Sequence, residues 1–194
     1  TSIGASAFYD CSGLESVLMP SSVTSIGSEA FYGCIGLKDQ DGFVIVRGVL
    51  YEYCGAAGNV KIPDGVTSIG DYAFYAFHGL KSITIPDGVV SIGANAFAWC
   101  IGLTTMTIPP SVTSIGDAAF YGCSGLTLIT IPTGVTNIGR TAFCLCTGLA
   151  SVTIPASLKT IGDSVFYGCK ELTSLVIPEG VECVGDNAFY DCGG

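Results

Sequence analysis

Charge is scarce in this chain, and positive charge is scarcer still. Asp, Glu, Lys and Arg make up 12% of the 194 residues, with seven cations against sixteen acids and a formal charge of −9. So few cations cannot neutralise a run of phosphates, which argues against a nucleic-acid interface. An anionic membrane surface is disfavoured for the same reason. There is one histidine, His78, and one tryptophan, Trp99. A single imidazole leaves little room for acid–base or metal chemistry. The ten cysteines include no C-x-x-C pair, so neither zinc-ribbon nor thioredoxin-type spacing is present. Hydrophobic residues reach 49%, yet no apolar run is long enough to predict a membrane-spanning helix. That apolar content also excludes intrinsic disorder.

The chain does contain a repeat. Ile85-Pro86-Asp87-Gly88-Val89-Val90-Ser91-Ile92-Gly93 is echoed by Ile131-Pro132-Thr133-Gly134-Val135-Thr136-Asn137-Ile138-Gly139. Proline stands at 63, 86, 109, 132, 155 and 178, a constant step of 23. Phenylalanine stands at 8, 31, 74, 97, 120, 143, 166 and 189, with the same step except for one of 43. Within a unit, Leu80 to Ile85 ends in the alternation of a half-buried strand. Pro86 lacks the N–H needed to continue the ladder, and Pro86-Asp87-Gly88 is turn chemistry. Val89 to Ile92 reads as a second short strand, ended by Gly93. The Asp that often follows (Asp71, Asp117, Asp163, Asp186) is placed to cap a single helical turn carrying Ala and Phe inward. One such coil cannot close a core, but stacked coils can. Leu80, Ile83, Ile85, Val89, Ile92, Ala96, Phe97 and Cys100 are the expected internal columns.

These units, matched closely by Leu103 to Gly125 and Leu126 to Gly148, resemble the BspA-like leucine-rich repeats. The resemblance covers essentially the whole chain. It implies a single repeat solenoid over 1–194, of about eight 23-residue units. The expected form is a right-handed coil with a parallel β-sheet on its concave face, and short second strands and single helical turns on the other side. It further implies a bacterial or protozoan surface protein of adhesive or partner-binding type, with no catalytic residues to carry over. Both ends of the chain fall inside a repeat and neither shows a polar cap, so a segment of a longer protein is expected. Any signal or anchor would then lie outside it.

The 43-residue step marks an irregular unit at 38–60. Phe43 to Val46 and Val49 to Tyr53 flank Arg47-Gly48, the pattern of a hairpin with a two-residue loop. One reading is a variant coil that still stacks. The other is a projecting hairpin whose contact residues are Arg47, Tyr51 and Tyr53, side-chain types that dominate binding hot spots.

Seven cysteines, at 11, 34, 100, 123, 146, 169 and 192, share one column in which the remaining unit has Phe77. A position accepting either Cys or Phe asks for buried apolar volume, so reduced, buried thiols are expected and no metal or cofactor is. His78 occupies a variable, loop-like position with no triad around it. Recurring single Asp residues are too sparse for calcium binding.

Two columns carry functional expectations. The outward residues of the long strands are Ser82, Thr84, Thr105, Thr107, Leu128, Thr130, Ser151 and Thr153, continuing to Ser174 and Val176. They form a neutral face suited to a protein or glycan ligand, or are simply good strand formers. The residue after Phe is Tyr9, Tyr32, Tyr75, Tyr121, Tyr167 or Tyr190, with Trp99 in the same turn of another unit. That ribbon either seals the coil edge by mutual stacking or offers aromatic faces to a sugar or partner. The reading reached is a non-enzymatic interaction or adhesion module of a secreted or cell-surface protein, binding host or neighbouring-cell ligands through the strand face. The alternative is a structural spacer that presents another domain and binds nothing itself.

Overall fold

The computed structural model describes residues 1–193. Its coils are built from paired short and long strands. The first two coils contribute only short strands, β1 (Ser2–Ile3) and β2 (Ser25–Ile26), which pair in parallel. The irregular unit supplies β3 (Phe43–Val46) and β4 (Val49–Tyr53). Thereafter long and short strands alternate through β5 (Gly58–Lys61), β6 (Ser68–Ile69), β7 (Leu80–Thr84), β8 (Ser91–Ile92), β9 (Thr105–Thr107), β10 (Ser114–Ile115), β11 (Leu128–Thr130), β12 (Asn137–Ile138), β13 (Ser151–Thr153) and β14 (Thr160–Ile161), and the last coil supplies only the short β15 (Cys183–Val184). The result is a leucine-rich-repeat-like β-solenoid with parallel sheets along its sides. No described helix is long and apolar enough to cross a membrane.

Four short strands join the hairpin strands in a six-stranded sheet, ordered β12-β10-β8-β6-β4-β3, while β1 with β2 and β14 with β15 make separate two-stranded sheets. Its register advances by one repeat per strand, so Ser68, Ser91 and Ser114 stand in line. The third side of each coil differs from the single helical turn expected from the sequence. Ile35–Leu37 is a 3-10 turn, and the described Phe-bearing segments are not helical. They are chains of tight turns whose N–H groups alternate in direction. Ala73, Tyr75 and Phe77 donate three residues back, to Gly70, Tyr72 and Phe74. Tyr72, Phe74 and Ala76 donate along the axis instead, to the carbonyls of Ala94, Ala96 and Ala98 in the next coil. Left-handed φ values at Tyr72 (60°) and Ala76 (53°) produce this alternation. Each coil therefore satisfies its backbone partly through its neighbour, as buried N–H groups require.

Side chains follow the same translation. Phe74, Phe97, Phe120, Phe143 and Phe166 are almost wholly buried. Successive rings are near-parallel, with centroids 5.1, 5.2, 5.1 and 5.4 Å apart. That spacing is close to the ~4.8 Å distance between paired strands and longer than a face-to-face contact, so the rings are offset. Leu80, Leu103, Leu126 and Leu149 line up likewise, each fully buried.

The hairpin interrupts this regularity. Arg47 (φ 51°) and Gly48 (φ 78°) both take the left-handed conformation, as a type I′ turn requires. Val44 pairs with Glu52 and Ile45 with Leu50, so Tyr51 is the extra residue of a bulge. β4 then joins β6 in parallel, which embeds the hairpin in the short-strand sheet. It does not project. Phe43 and Leu50 enter the main core, whereas Val44, Val46 and Tyr51 pack with Ala30, Phe31 and Cys34 in a smaller one. Among the described residues, no backbone–backbone hydrogen bond joins residues 1–37 to the hairpin. Side chains serve instead: the Glu52 Oε2 accepts from Gly33 N–H at 2.8 Å, and the Arg47 guanidinium donates to Val23 O at 2.9 Å.

The Phe column is the sharpest test of this architecture. Phe120→Ala removes a ring stacked on both sides and is expected to cost about 3–5 kcal/mol, read as a lower midpoint in urea denaturation. A midpoint unchanged from wild type would show that the column is not the core.

Candidate functional site

The strand face starts from the alternation in β5, β7, β9, β11 and β13. Val60, Ile83, Ile129 and Val152 point inward and are buried. The residues between them point outward: Thr84, Thr105, Thr107, Leu128, Thr130, Ser151 and Thr153 are exposed, and Ser82 is half-buried, its Oγ donating to Asn59 Oδ1 at 2.9 Å. The expectation of one continuous sheet needs correction. β5, β7 and β9 form one sheet and β11 and β13 another, with no ladder between β9 and β11. Ser174 and Val176 lie in no strand. Thr104 N–H donates to Lys81 O and Ala150 N–H to Thr127 O, but the equivalent bond from Thr127 to Thr104 is not made. Met106 sits beside this break. It is a half-exposed, unbranched residue where neighbouring coils place buried Val or Ile, and such residues fit a pleated surface less well.

An open groove of about 740 Å³ runs over this face. Thr84, Thr107, Thr130 and Thr153 line it together with Met106 and Leu128, and Pro110, Pro132 and Pro155 form a rim. None of its lining residues carries a charge. Nearer the N-terminus, a second cleft of about 760 Å³ is of opposite character, with Lys38, Lys61, Asp39, Asp41 and Asp64 around it.

The aromatic edge is largely occupied with itself. Tyr9 stacks on Tyr32 at 5.5 Å and Tyr167 on Tyr190 at 5.3 Å, while Trp99 meets Tyr121 edge-on at 5.3 Å. Coils alternate between Tyr-Gly (Tyr121-Gly122, Tyr167-Gly168) and a small residue followed by a large one (Ala98-Trp99, Cys144-Leu145). The large side chain of one coil lies over the glycine of the next. A Cβ on Gly122 would come within 2.7 Å of the Trp99 ring, and one on Gly168 within 2.7 Å of Leu145. Trp99 is thus a packing element, although Tyr9, Tyr75, Trp99 and Tyr190 keep an exposed face.

The hairpin residues are held inside the fold. Tyr51 is only 3% exposed and meets Phe31 edge-on at 5.4 Å. Burial, with the nearby Asp71 charge, pushes its hydroxyl up to about 12. Tyr53 packs against Phe43 and Phe74, with its hydroxyl donating to Ala56 O. Arg47, though exposed, is used on the carbonyls of Pro20 and Val23. Tyr51 is therefore no contact residue, because the bulge turns it into the smaller core. The recurring Asp also has a different role from the one expected. Asp71 Oδ1 accepts from Ala94 N–H, Asp117 from Arg140 N–H and Asp163 from Asp186 N–H. Each carboxylate ties its coil to the next rather than capping its own turn. His78 is exposed.

All ten cysteines are free. In the column, Cys100, Cys123 and Cys146 donate their S–H groups at 3.1 Å to Phe74, Phe97 and Phe120 carbonyls one coil back. Burial raises their pKa values, chiefly through desolvation, and takes Cys100 and Cys169 to about 12. Among the described residues no group of three or more His, Cys, Asp or Glu side chains is arranged to hold a metal.

Sequence comparison matches a family model, described as a BspA type leucine rich repeat region, in six copies over residues 1–41, 44–169 and 90–194. The comparison with curated proteins finds no match. Among solved structures, a leucine-rich repeat protein of Bacteroides ovatus is 30% identical with a TM-score of 0.67, covering 100% of this chain and 45% of its own. A T. pallidum leucine-rich repeat protein is 29% identical with a TM-score of 0.60, covering 74% of this chain and 80% of its own. One from Eubacterium ventriosum is 26% identical with a TM-score of 0.59, covering 99% and 62%. This chain spans less than half the length of the B. ovatus protein.

The packing of this site generates three predictions. In the native chain a thiol-alkylating reagent at neutral pH should modify the exposed Cys11 and Cys183 and spare the buried members of the column, Cys34, Cys100, Cys123, Cys146 and Cys169, since only the accessible thiolate reacts; mass spectrometry of peptides reads the pattern. Because the folded-state thiol pKa values lie above the unfolded ones, their contribution to stability is complete below about 8.5. It is lost as pH rises through the folded values, about 12 for Cys100. Stability should therefore fall across that alkaline window. For the aromatic edge, Gly122→Ala combines a left-handed φ of 69° with contact on the Trp99 ring. It should cost more than about 1 kcal/mol in denaturant titration, with only part recovered by adding Trp99→Ala.

Proposed function

Because the chain belongs to the BspA-type leucine-rich-repeat family, we propose that it is a non-enzymatic interaction module. It works in a secreted or cell-surface protein and binds through its strand face. The observation that carries this reading is the uncharged groove over β7, β9, β11 and β13. There a column of outward Thr side chains lines an open groove, while at the aromatic edge much of the Tyr, Trp and Leu surface is taken up by mutual packing. Repeat solenoids use such extended surfaces for recognition, with affinity built from area rather than from one deep pocket.

The test is a binding screen of the chain against immobilised matrix proteins, serum proteins and glycans. A hit should be lost in the triple variant Thr84→Glu, Thr107→Glu, Thr130→Glu, which places three charges on a neutral face without touching the core. Binding that survives the triple variant would refute the strand-face reading. A folded, monomeric chain that binds nothing would favour the spacer.

A further inference from the structure

We infer that the plane in front of the hairpin is an opening joint built into the solenoid. Residues 1–37 form one cooperative unit that detaches as a whole, and the hairpin is an internal cap that lets residues 38–193 persist without it. This goes beyond the strand-face reading and does not depend on it.

Four observations meet at that plane. The first is where the sheets stop. β3 is the outer strand of the six-stranded sheet and β5 the outer strand of the sheet β5-β7-β9, while β1 and β2 pair only with each other. Both sheets therefore end at the irregular unit. The second is the backbone. A regular junction is dense in bonds between coils: Tyr72, Phe74 and Ala76 donate forward to Ala94, Ala96 and Ala98, and Val90 and Gly93 donate back to Thr67 and Ile69. Among the described residues, no backbone–backbone bond or strand pairing joins residues 1–37 to the hairpin or to any later coil. The polar links are Gly33 N–H to Glu52 Oε2 and the Arg47 guanidinium to the carbonyls of Pro20 and Val23. The third is packing. Ala30, Phe31 and Cys34 share a small apolar cluster with the hairpin, separate from the main core. The Phe column is cut there: Phe8 stacks on Phe31 and Phe74 on Phe97, but Phe31 meets Tyr51 edge-on. The fourth is space. A gap of about 150 Å³ separates Val23 to Ile26 from Arg47 and Val49, and the strap that crosses the joint, Lys38 to Gly42, borders the 760 Å³ cleft.

Such a junction is held by a few side chains and one small apolar contact. Two coils alone close no core, so once that contact is lost all of 1–37 goes together. The hairpin, in turn, is built to stand at an end. Its strands pair with each other and are bulged at Tyr51, and a bulge keeps a strand edge from recruiting another strand. β4 stays tied to the following coil through β6 and through Tyr53 N–H to Ala73 O.

The experiment is native-state hydrogen exchange, read by mass spectrometry on the whole chain, for wild type and the double variant Arg47→Asn, Glu52→Ala. Asn suits the left-handed first position of a type I′ turn, so the hairpin is kept while the polar links are removed. In wild type the amides bonded between the first two coils, those of Ser6, Phe8, Asp10 and Gly27, are expected to exchange through one common opening. Protection should then rise in a single step at the hairpin. In the double variant the common exchange should speed up about tenfold or more, with the protection of β6 to β14 unchanged. Protection that climbs coil by coil from residue 1 across the hairpin, as at a fraying end, would overturn the inference. So would acceleration that spreads into β6 to β14, which would make the chain one cooperative unit, and so would no acceleration at all. If the variant hairpin itself loses protection, the presence or absence of the step in wild type decides alone.

Discussion

Each coil of this protein is completed by the next one. The tight-turn segments send every second N–H along the axis, as from Phe74 to Ala96 and Phe97 to Ala119. Asp71, Asp117 and Asp163 add a carboxylate bond to the following coil, and the column thiols donate to the preceding one. The Phe rings stack at the same spacing. A single coil has neither a closed core nor a satisfied backbone, so the unit of stability is the junction between coils. The rest of the structure is arranged around keeping that junction regular.

That constraint explains how the two irregularities are handled. At the hairpin the backbone ladder fails, and side chains take over: Glu52 accepts from Gly33 N–H, where a regular coil such as that of Gly122 finds a backbone carbonyl, that of Cys144. The hairpin also presents two faces to two cores, which is why Tyr51 and Phe43, close in the same element, have different neighbours. At the second irregularity, between β9 and β11, nothing replaces the missing strand ladder. The core there stays closed because Leu103, Leu126 and the Phe column are unaffected, so the defect is confined to the surface of the strand face. One irregularity is bridged by side chains and the other is left without a ladder.

The aromatic edge shows how a repeat can mislead when read one column at a time. Six tyrosines at equivalent positions look like a ribbon displayed for binding. Read across two adjacent columns and two adjacent coils, they alternate with Ala98-Trp99 and Cys144-Leu145, large residues seated on Gly122 and Gly168. Complementary volumes in neighbouring coils are a packing device, and the exposed faces are what remains after packing.

The order of the units, their inward columns, the hairpin and the burial of the column thiols from Cys34 to Cys169 were legible in the sequence, because a 23-residue period repeated along the chain makes each position report many times on its own environment; Cys11, in the first coil, is exposed instead. Substitution within a column reveals burial at Cys100 or Phe77 and solvent at His78. What periodicity could not convey is how one coil meets the next. The Asp column looked like a helix cap because capping and inter-coil bonding use the same side chain at the same place, and only the left-handed φ values at the following residues (Tyr72, Ala118 and Ser164) separate them. Whether Tyr51 faces core or solvent stayed open between a stacked coil and a projecting hairpin, because its bulge, and thus the side it faces, is set by the pairing of β3 with β4. The break beside Met106 is likewise a relation between two strands. The sequence by itself determined the repeat and the apolar or polar side of each coil, since these depend on local periodicity. The tertiary structure alone decided where the sheets are continuous and where they open, since that depends on hydrogen bonds between residues a full repeat apart.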